Sequence, residues 1–187
     1  SWSYQGCDGT PVTVEVYSAA PMVELFLNGQ SLGRKISGEK SRYRTLFQTR
    51  YQSGELNAVS YDADGNKLEE TTLRTADQGR NLRLDADMDA VRANGLVFVD
   101  IEVCDGQGIG KPTENGKVTV TVTGGELLAL GNARACSEEE YTDAVCSLFH
   151  GRAQAVLRAD GQGKLVLKAS HEDGLEAALT LTSAEEH

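Results

Sequence analysis

The chain has 187 residues, of which 40% are hydrophobic and 25% are charged, and its formal net charge is −10. This length is long for one small sandwich and suits two domains, each large enough for its own core. The negative charge disfavours nucleic acid and membrane surfaces as partners, because phosphate groups are bound mainly by Lys and Arg. No apolar run is long enough to cross a bilayer, and neutral sugars remain open as ligands.

Alternating apolar residues predict short strands in the first part of the chain. Residues 12–17 and 22–27 carry an apolar side chain at every second position, the pattern of a strand with one buried face. Asn28 and Gly29 then supply the two positive φ angles of a type I′ hairpin, and the chain returns over residues 30–34. Three later segments are also predicted to be strands: residues 43–49, 56–61 and 67–75.

Small and polar residues at positions 75–79 interrupt this pattern and mark a domain boundary, so the predicted domains are residues 1–76 and 80–187. The second domain contains seven predicted strands: residues 82–86, 96–104, 118–122, 125–130, 152–158, 164–169 and 177–182. Short strands separated by Gly, Asn and Asp turns are typical of an immunoglobulin-like sandwich. We therefore predict an all-β chain of two consecutive immunoglobulin-like or fibronectin-like antiparallel β-sandwiches.

A long polar segment, residues 136–149, interrupts the strands of the second domain, and its length makes it the strongest candidate for a functional loop. It contains Glu138, Glu139 and Glu140 in one run. Glycoside cleavage needs two carboxyl groups held at a fixed separation, which neighbouring loop acids do not provide. The sequence therefore predicts a solvated acidic loop here and no catalytic residue.

Metal and cofactor sites have little support. Residues 62–66 and 85–89 are rich in Asp, but both lack the glycine and the closing glutamate of an EF-hand loop, so a turn and a polar strand end are predicted. Residues 105–110 are rich in glycine and follow a strand without opening a helix, which favours a flexible loop between strands over a phosphate site. The sequence predicts no metal and no cofactor.

The four cysteines form no CxxC pair and have no histidine at zinc-ligand spacing, which disfavours a structural zinc site. Cys136 and Cys146 flank the polar loop. Their spacing leaves open whether they form a disulfide, because it does not show how closely the two Cα atoms approach.

Three aromatic residues are candidates for contact with a sugar or with a neighbouring domain. Trp2 and Tyr4 lie on one face of an extended N-terminal segment, and Tyr141 lies in the polar loop. Aromatic rings can stack on a sugar ring or pack against another domain.

Two groups of segments carry a family resemblance. In the first domain, SWSYQG, GTPV, VYS and VELFLNGQSLG, which lie within residues 1–33, are similar to the region that follows the catalytic barrel in bacterial β-galactosidases of glycoside hydrolase family 2. In the second domain, LLALGN at residues 127–132 and FHGRA at residues 149–153 resemble the immunoglobulin-like C-terminal domain of the same enzymes.

The resemblance implies a parent enzyme that hydrolyses O-glycosyl bonds of β-glycosides with retention, using two glutamates on a separate barrel. We therefore expect this chain to be a non-catalytic C-terminal accessory fragment that braces the barrel and other domains of the parent and contributes to its oligomer. Two alternatives stay open: a carbohydrate-binding module that stacks sugars on Trp2, Tyr4, Tyr17 or Tyr141, and a bacterial surface immunoglobulin-like module. The parent's exact glycoside and its compartment, whether cytoplasmic, periplasmic or secreted, also stay open.

Overall fold

A computed structural model describes residues 1–161 and 163–184, and the chain divides into two compact units, Ser1–Thr75 and Ala76–His187. Within the described residues the regular structure consists of strands and a single 3₁₀ turn, Gly38–Ser41. The predicted all-β fold is confirmed. No helix in the described part of the chain is long and apolar enough to span a membrane.

The first unit is a β-sandwich of two antiparallel sheets. Within residues 1–75, its six strands are β1 (Pro11–Tyr17), β2 (Met22–Leu27), β3 (Gln30–Ile36), β4 (Arg44–Arg50), β5 (Glu55–Tyr61) and β6 (Lys67–Arg74). Strands β1 and β4 form a two-stranded sheet, and the second sheet has the order β3-β2-β5-β6. Leu25 and Phe47 come from opposite sheets, meet in the core and are each 1% exposed.

The predicted type I′ hairpin is confirmed at Asn28 and Gly29, whose φ angles are 50° and 78°. The side chain of Asn28 also fixes the turn to a neighbouring segment. Its Nδ2 donates to the carbonyl of Ser53 at 3.1 Å, and its Oδ1 accepts the N–H of Glu55 at 2.8 Å. The turn is therefore held both by its own backbone and by the start of β5.

Residues 62–66 form the predicted turn, and the carboxylate of Asp62 closes it. Its Oδ1 accepts the N–H groups of Asp64 and Asn66 at 3.0 and 2.8 Å, and its Oδ2 accepts Nδ2 of Asn66 at 3.0 Å. Gly65 takes the left-handed conformation with a φ of 87°. The carboxylate of Asp62, a type of group that can bind a cation, is thus used to close the turn.

The second unit is a larger sandwich. Its described strands are β7 (Asn81–Ala86), β8 (Ala90–Arg92), β9 (Leu96–Cys104), β10 (Lys117–Thr123), β11 (Gly125–Gly131), β12 (Val145–Ser147), β13 (Arg152–Ala159), β14 (Gly163–His171) and β15 (Glu176–Ala184). One sheet has the order β12-β10-β14-β15-β8 and the other β11-β13-β9-β7. The seven predicted strands are present. The three-residue strands β8 and β12 were not predicted, and β8 pairs with β15 in parallel rather than antiparallel.

Strand β9 forms the centre of the second core. Val97, Val99, Ile101 and Val103 point inward from it and are fully buried, with 0% exposure. They belong to one apolar cluster with residues of both sheets, among them Leu165 from β14. The period-two pattern that predicted this strand therefore also identified the side chains that hold the two sheets together.

The outer side of β9 carries a buried acid. Glu102 is 5% exposed and forms ion pairs with Arg83 on β7 and Arg152 on β13, and Nε of Arg152 donates to Oε1 at 2.7 Å. The three residues face one another across adjacent strands. A Cβ at Gly110 would overlap the Glu102 carboxylate, so the glycine lets the following loop cross close to it. This row of charges ties the three strands together.

Asp105 fixes the glycine-rich segment after β9. The residue is 2% exposed; its Oδ1 accepts the N–H groups of Gln107 and Ile109 at 2.8 Å, and its Oδ2 accepts that of Asp77 at 2.9 Å. Burial raises the pKa of this carboxyl, but the three N–H donors and Lys111 outweigh it and hold the pKa below its usual value. The segment is thus a fixed turn rather than the flexible loop expected.

Asp105→Ala should destabilise the second unit by about 3 kcal/mol at pH 7, because it leaves three N–H donors without their charged acceptor. The folded-state pKa is lowered, so this stabilisation is complete above the unfolded-state pKa of about 3.9 and is lost as the pH falls through the folded-state pKa. Urea unfolding followed by circular dichroism at pH 7 and pH 3 measures both effects. The control is Asp89→Ala, an exposed position. A similar loss of stability in both variants would contradict the role of Asp105.

Candidate functional site

Trp2 lies in the core of the first unit. Its side chain is 4% exposed, and its indole Nε1 donates to the carbonyl of Gln52 at 2.8 Å. The ring packs 5.0 Å from that of Tyr51, whose hydroxyl donates to the carbonyl of Trp2 at 3.2 Å. A ring buried in this way has no free face for a sugar, so Trp2 instead anchors the N-terminal segment.

Tyr4 lies at the edge of the same aromatic cluster and is 46% exposed. Its ring makes edge-on contacts with Trp2 and Tyr51, at centroid distances of 5.9 and 5.7 Å. Its backbone N–H donates to the Tyr51 hydroxyl at 3.1 Å. The predicted pair of aromatic residues is thus one core residue and one partly exposed ring, joined through Tyr51, which the sequence pattern did not single out.

The polar loop of the second unit is tied down by Glu139. Both oxygens of its carboxylate accept the N–H of Ser147 at 3.1 Å, and Oε1 also accepts the Ser147 hydroxyl at 2.7 Å. These hydrogen bonds lower the pKa of Glu139. Nδ2 of Asn132, which precedes the loop, donates to the carbonyl of Ser147 at 2.7 Å. Glu138 and Glu140 are exposed, as predicted for a solvated run, whereas Glu139 is half-buried and holds the loop against β12.

Tyr141 belongs to this loop and is 57% exposed. Its carbonyl accepts the N–H of Leu130 at 2.7 Å, which fixes its backbone against β11. Its ring lies directly over Gly131, where a Cβ would overlap it. The ring is thus exposed on a backbone that is held in place, whereas the ring of Trp2 is buried.

A tight turn brings two further rings close to this part of the sheet. Phe149 and Arg152 exchange backbone hydrogen bonds of 2.9 and 3.1 Å around His150 and Gly151, whose φ angles are 52° and 74°. Both positive angles match a type I′ turn, in which Asn, Asp or Gly is the preferred residue at the first central position. The His150 side chain is exposed and its ring centroid lies 4.3 Å from that of Phe149.

These features surround a groove of about 520 Å³ over the outer face of the sheet β11-β13-β9-β7. Its lining includes Tyr141, Phe149, His150 and Val156. We call it the outer-face groove. It lies opposite the core, because its strand residues alternate with buried ones such as Ala155.

Polar side chains also line the outer-face groove. Nε2 of Gln154 donates to Oδ1 of Asp100 at 2.9 Å, and the two residues face one another across β13 and β9. Arg152 lines the groove beside them and is ion-paired with Glu102. Among the described residues, Asp100 is the carboxylate that lines the groove, and glycoside cleavage requires two facing acids. Aromatic faces and planar polar groups suit it for holding a ligand.

The two cysteines that flank the polar loop are free thiols: Cys136 is exposed and Cys146 is buried. Burial raises the pKa of Cys146 to about 11, so this thiol is protonated at neutral pH and is a poor nucleophile. In the described ranges, no group of three or more His, Cys, Asp or Glu side chains is placed to hold a metal ion.

Glu139→Ala should loosen the polar loop, because hydrogen bonds to a charged acceptor contribute about 1.5–3 kcal/mol. Hydrogen exchange at the Ser147 N–H is the direct measurement, and we expect it to become at least about tenfold faster. The matched control is Glu140→Ala, a neighbouring exposed acid. Equal exchange rates in the two variants would show that Glu139 does not anchor the loop.

Comparison with known proteins identifies two family matches. Residues 9–69 match a family described as a domain of unknown function, DUF4982. Residues 82–180, more than half of the chain, match glycoside hydrolase family 2 C-terminal domain 5. The two matched ranges fall in the first and second units respectively.

Individual relatives agree with these matches. The β-galactosidase BoGH2A of Bacteroides ovatus is 32% identical over 91% of this chain, which spans 20% of that enzyme. A solved family 2 glycosyl hydrolase from Bacteroides cellulosilyticus is 29% identical, with a TM-score of 0.88 over 97% of this chain and 24% of its own. A β-glycosidase from Bacteroides vulgatus, 24% identical, shares the fold with a TM-score of 0.85 over 97% of this chain and 24% of its own.

The chain thus spans a fifth to a quarter of the length of these relatives. The matches confirm the resemblance found in the sequence: the chain belongs to glycoside hydrolase family 2, as a C-terminal region that contains a family 2 C-terminal domain 5.

Proposed function

We propose that this chain is a non-catalytic accessory region of a family 2 glycoside hydrolase and that its first unit braces the catalytic barrel of the parent enzyme. The relatives named as hydrolases are several times longer than this chain, so most of each lies outside the matched part. The observation that carries the proposal is an uncovered strand, β6, on one side of the first unit.

Strand β6 lies at the edge of its sheet and has no buried residue along its length. Leu73 pairs with the buried Leu56 and Thr71 pairs with Ala58, so both point to the core side of the sheet. Leu73 is nevertheless 40% exposed, because the two-stranded sheet β1-β4 does not extend over it. The core face of β6 is therefore open to a partner.

A cleft of about 190 Å³ marks this open side. It is lined by Val16 and Tyr17 from β1, by Val23 from β2, and by Glu69 and Thr71 from β6. Among the strands that the structure describes, β1 pairs with β4 alone and β6 with β5 alone, so each leaves one edge unpaired. Unpaired strand edges and an uncovered sheet face are the features through which a sandwich packs against another domain.

The non-catalytic part of the proposal has a direct test. The purified 187-residue chain should release no nitrophenol above the buffer background from nitrophenyl β-galactoside or nitrophenyl β-glucuronide. Turnover that copurifies with the chain through two chromatographic steps would overturn this part of the proposal.

The bracing part is tested with Leu73→Asp in the parent enzyme, where we expect Tm to fall by about 3 °C or more, because a charge would be buried at the interface. The control is Leu46→Asp, which has the same 40% exposure but lies on the outer face of β4. In the isolated chain the two substitutions should lower Tm to a similar extent. Equal effects in the parent enzyme as well would contradict bracing through β6.

A further inference from the structure

We propose that the outer-face groove of the second unit binds a neutral oligosaccharide, with the ring of Tyr141 as its stacking platform. This role is separate from bracing, which we assign to the first unit. It rests on the geometry of the groove and on the charges that line it.

The first argument is the way Tyr141 is held. An exposed tyrosine in a free loop would lose conformational entropy on binding, whereas the backbone of Tyr141 is already held by the N–H of Leu130 and its ring lies against Gly131. Glu139 and Asn132 further tie the loop to Ser147. Several hydrogen bonds thus hold the loop so that an aromatic face stays exposed, which is the arrangement of a preorganised binding site.

The second argument is the polar lining beside this ring. The side chains of Gln154 and Asp100 are exposed, and the single hydrogen bond between them uses one amide N–H and one carboxylate oxygen. The second N–H and the carbonyl of the amide, and the other carboxylate oxygen, can still bind hydroxyl groups. Donors and acceptors on adjacent planar groups suit the neighbouring hydroxyls of a sugar, and the apolar surface of Val156 and Tyr141 suits its C–H face.

The third argument concerns charge and selects a neutral ligand. Arg152 is a permanent cation in the groove lining, and it shares the carboxylate of Glu102 with Arg83. Asp100 adds a negative charge, and the whole chain has a formal charge of −10. The charges of these four residues balance, so the groove offers an anionic sugar no surplus of positive charge, whereas a neutral sugar needs none.

The volume and the outline of the groove agree with a short chain of sugar units. About 520 Å³ lies within the usual range of roughly 300–1,000 Å³ for sites that bind small molecules. Phe98 and Leu96 continue the exposed apolar surface along β9, at 41% and 44% exposure. Phe98 is the register partner of Val156, so this surface adjoins the groove and could extend the contact with a longer ligand.

The test is a calorimetric titration of the 187-residue chain with neutral galacto-, gluco- and xylo-oligosaccharides, and with an oligouronide as the charged comparison. We expect saturable binding of at least one neutral series and none of the oligouronide. Tyr141→Ala should weaken binding about tenfold or more, and Tyr141→Phe should retain it within about twofold, since stacking needs the ring and not the hydroxyl. Tyr43→Ala is the control, because Tyr43 is similarly exposed, at 52%, but lies in the first unit.

Two results would overturn the proposal: no saturable binding of any neutral series, or binding that is unchanged in Tyr141→Ala. If another part of the parent chain covers the groove instead, Tyr141→Asp will lower Tm of the parent enzyme more than that of the isolated chain. In that case neither the parent enzyme nor the isolated chain will bind the oligosaccharides through this face. A failure of bracing would appear independently, in the comparison of Leu73→Asp with Leu46→Asp.

Discussion

The alternation of side chains along β9 determines both faces of the second unit. The inward residues, such as Val99 and Ile101, are completely buried and lock the two sheets together. Because the side-chain period of a strand is two, this burial fixes the register and forces Phe98, Asp100 and Glu102 to the opposite face. A shift of one residue would place the acids in the core, so the composition of the outer face follows from the requirements of the inner one.

The outer face then depends on segments that fold back over it. Glu102 becomes buried only because the loop containing Gly110 crosses it, and Arg83 and Arg152 neutralise it there. A buried carboxylate without such partners would carry a large desolvation cost. The same face receives Tyr141 where Gly131 lacks a side chain. Gly110 and Gly131 thus each allow a segment to approach the outer face closely. The first lies over the ion pairs of Glu102, and the second lies beside the open groove.

The sequence predicted the long strands and the Asn28 turn, because both depend on neighbouring residues. It did not predict β8 or β12, since three residues are too few to show alternation. Nor did it show that Trp2 is buried, because that depends on Tyr51 and Gln52, about fifty residues away. The turn at His150 and Gly151 was missed because histidine is an unusual turn residue, although the glycine between two strand-like segments was a usable signal.

The two units differ in the size of the apolar core that each one buries. The described apolar core of the second unit contains nineteen buried residues, and that of the first contains seven. A unit of about 75 residues buries a smaller fraction of its surface than a larger one, so its stability depends more on what it contacts. The open side at β6 is consistent with a unit completed by a neighbour. The second unit closes its own core, and the ligand site that we propose lies on the opposite face of its sheet.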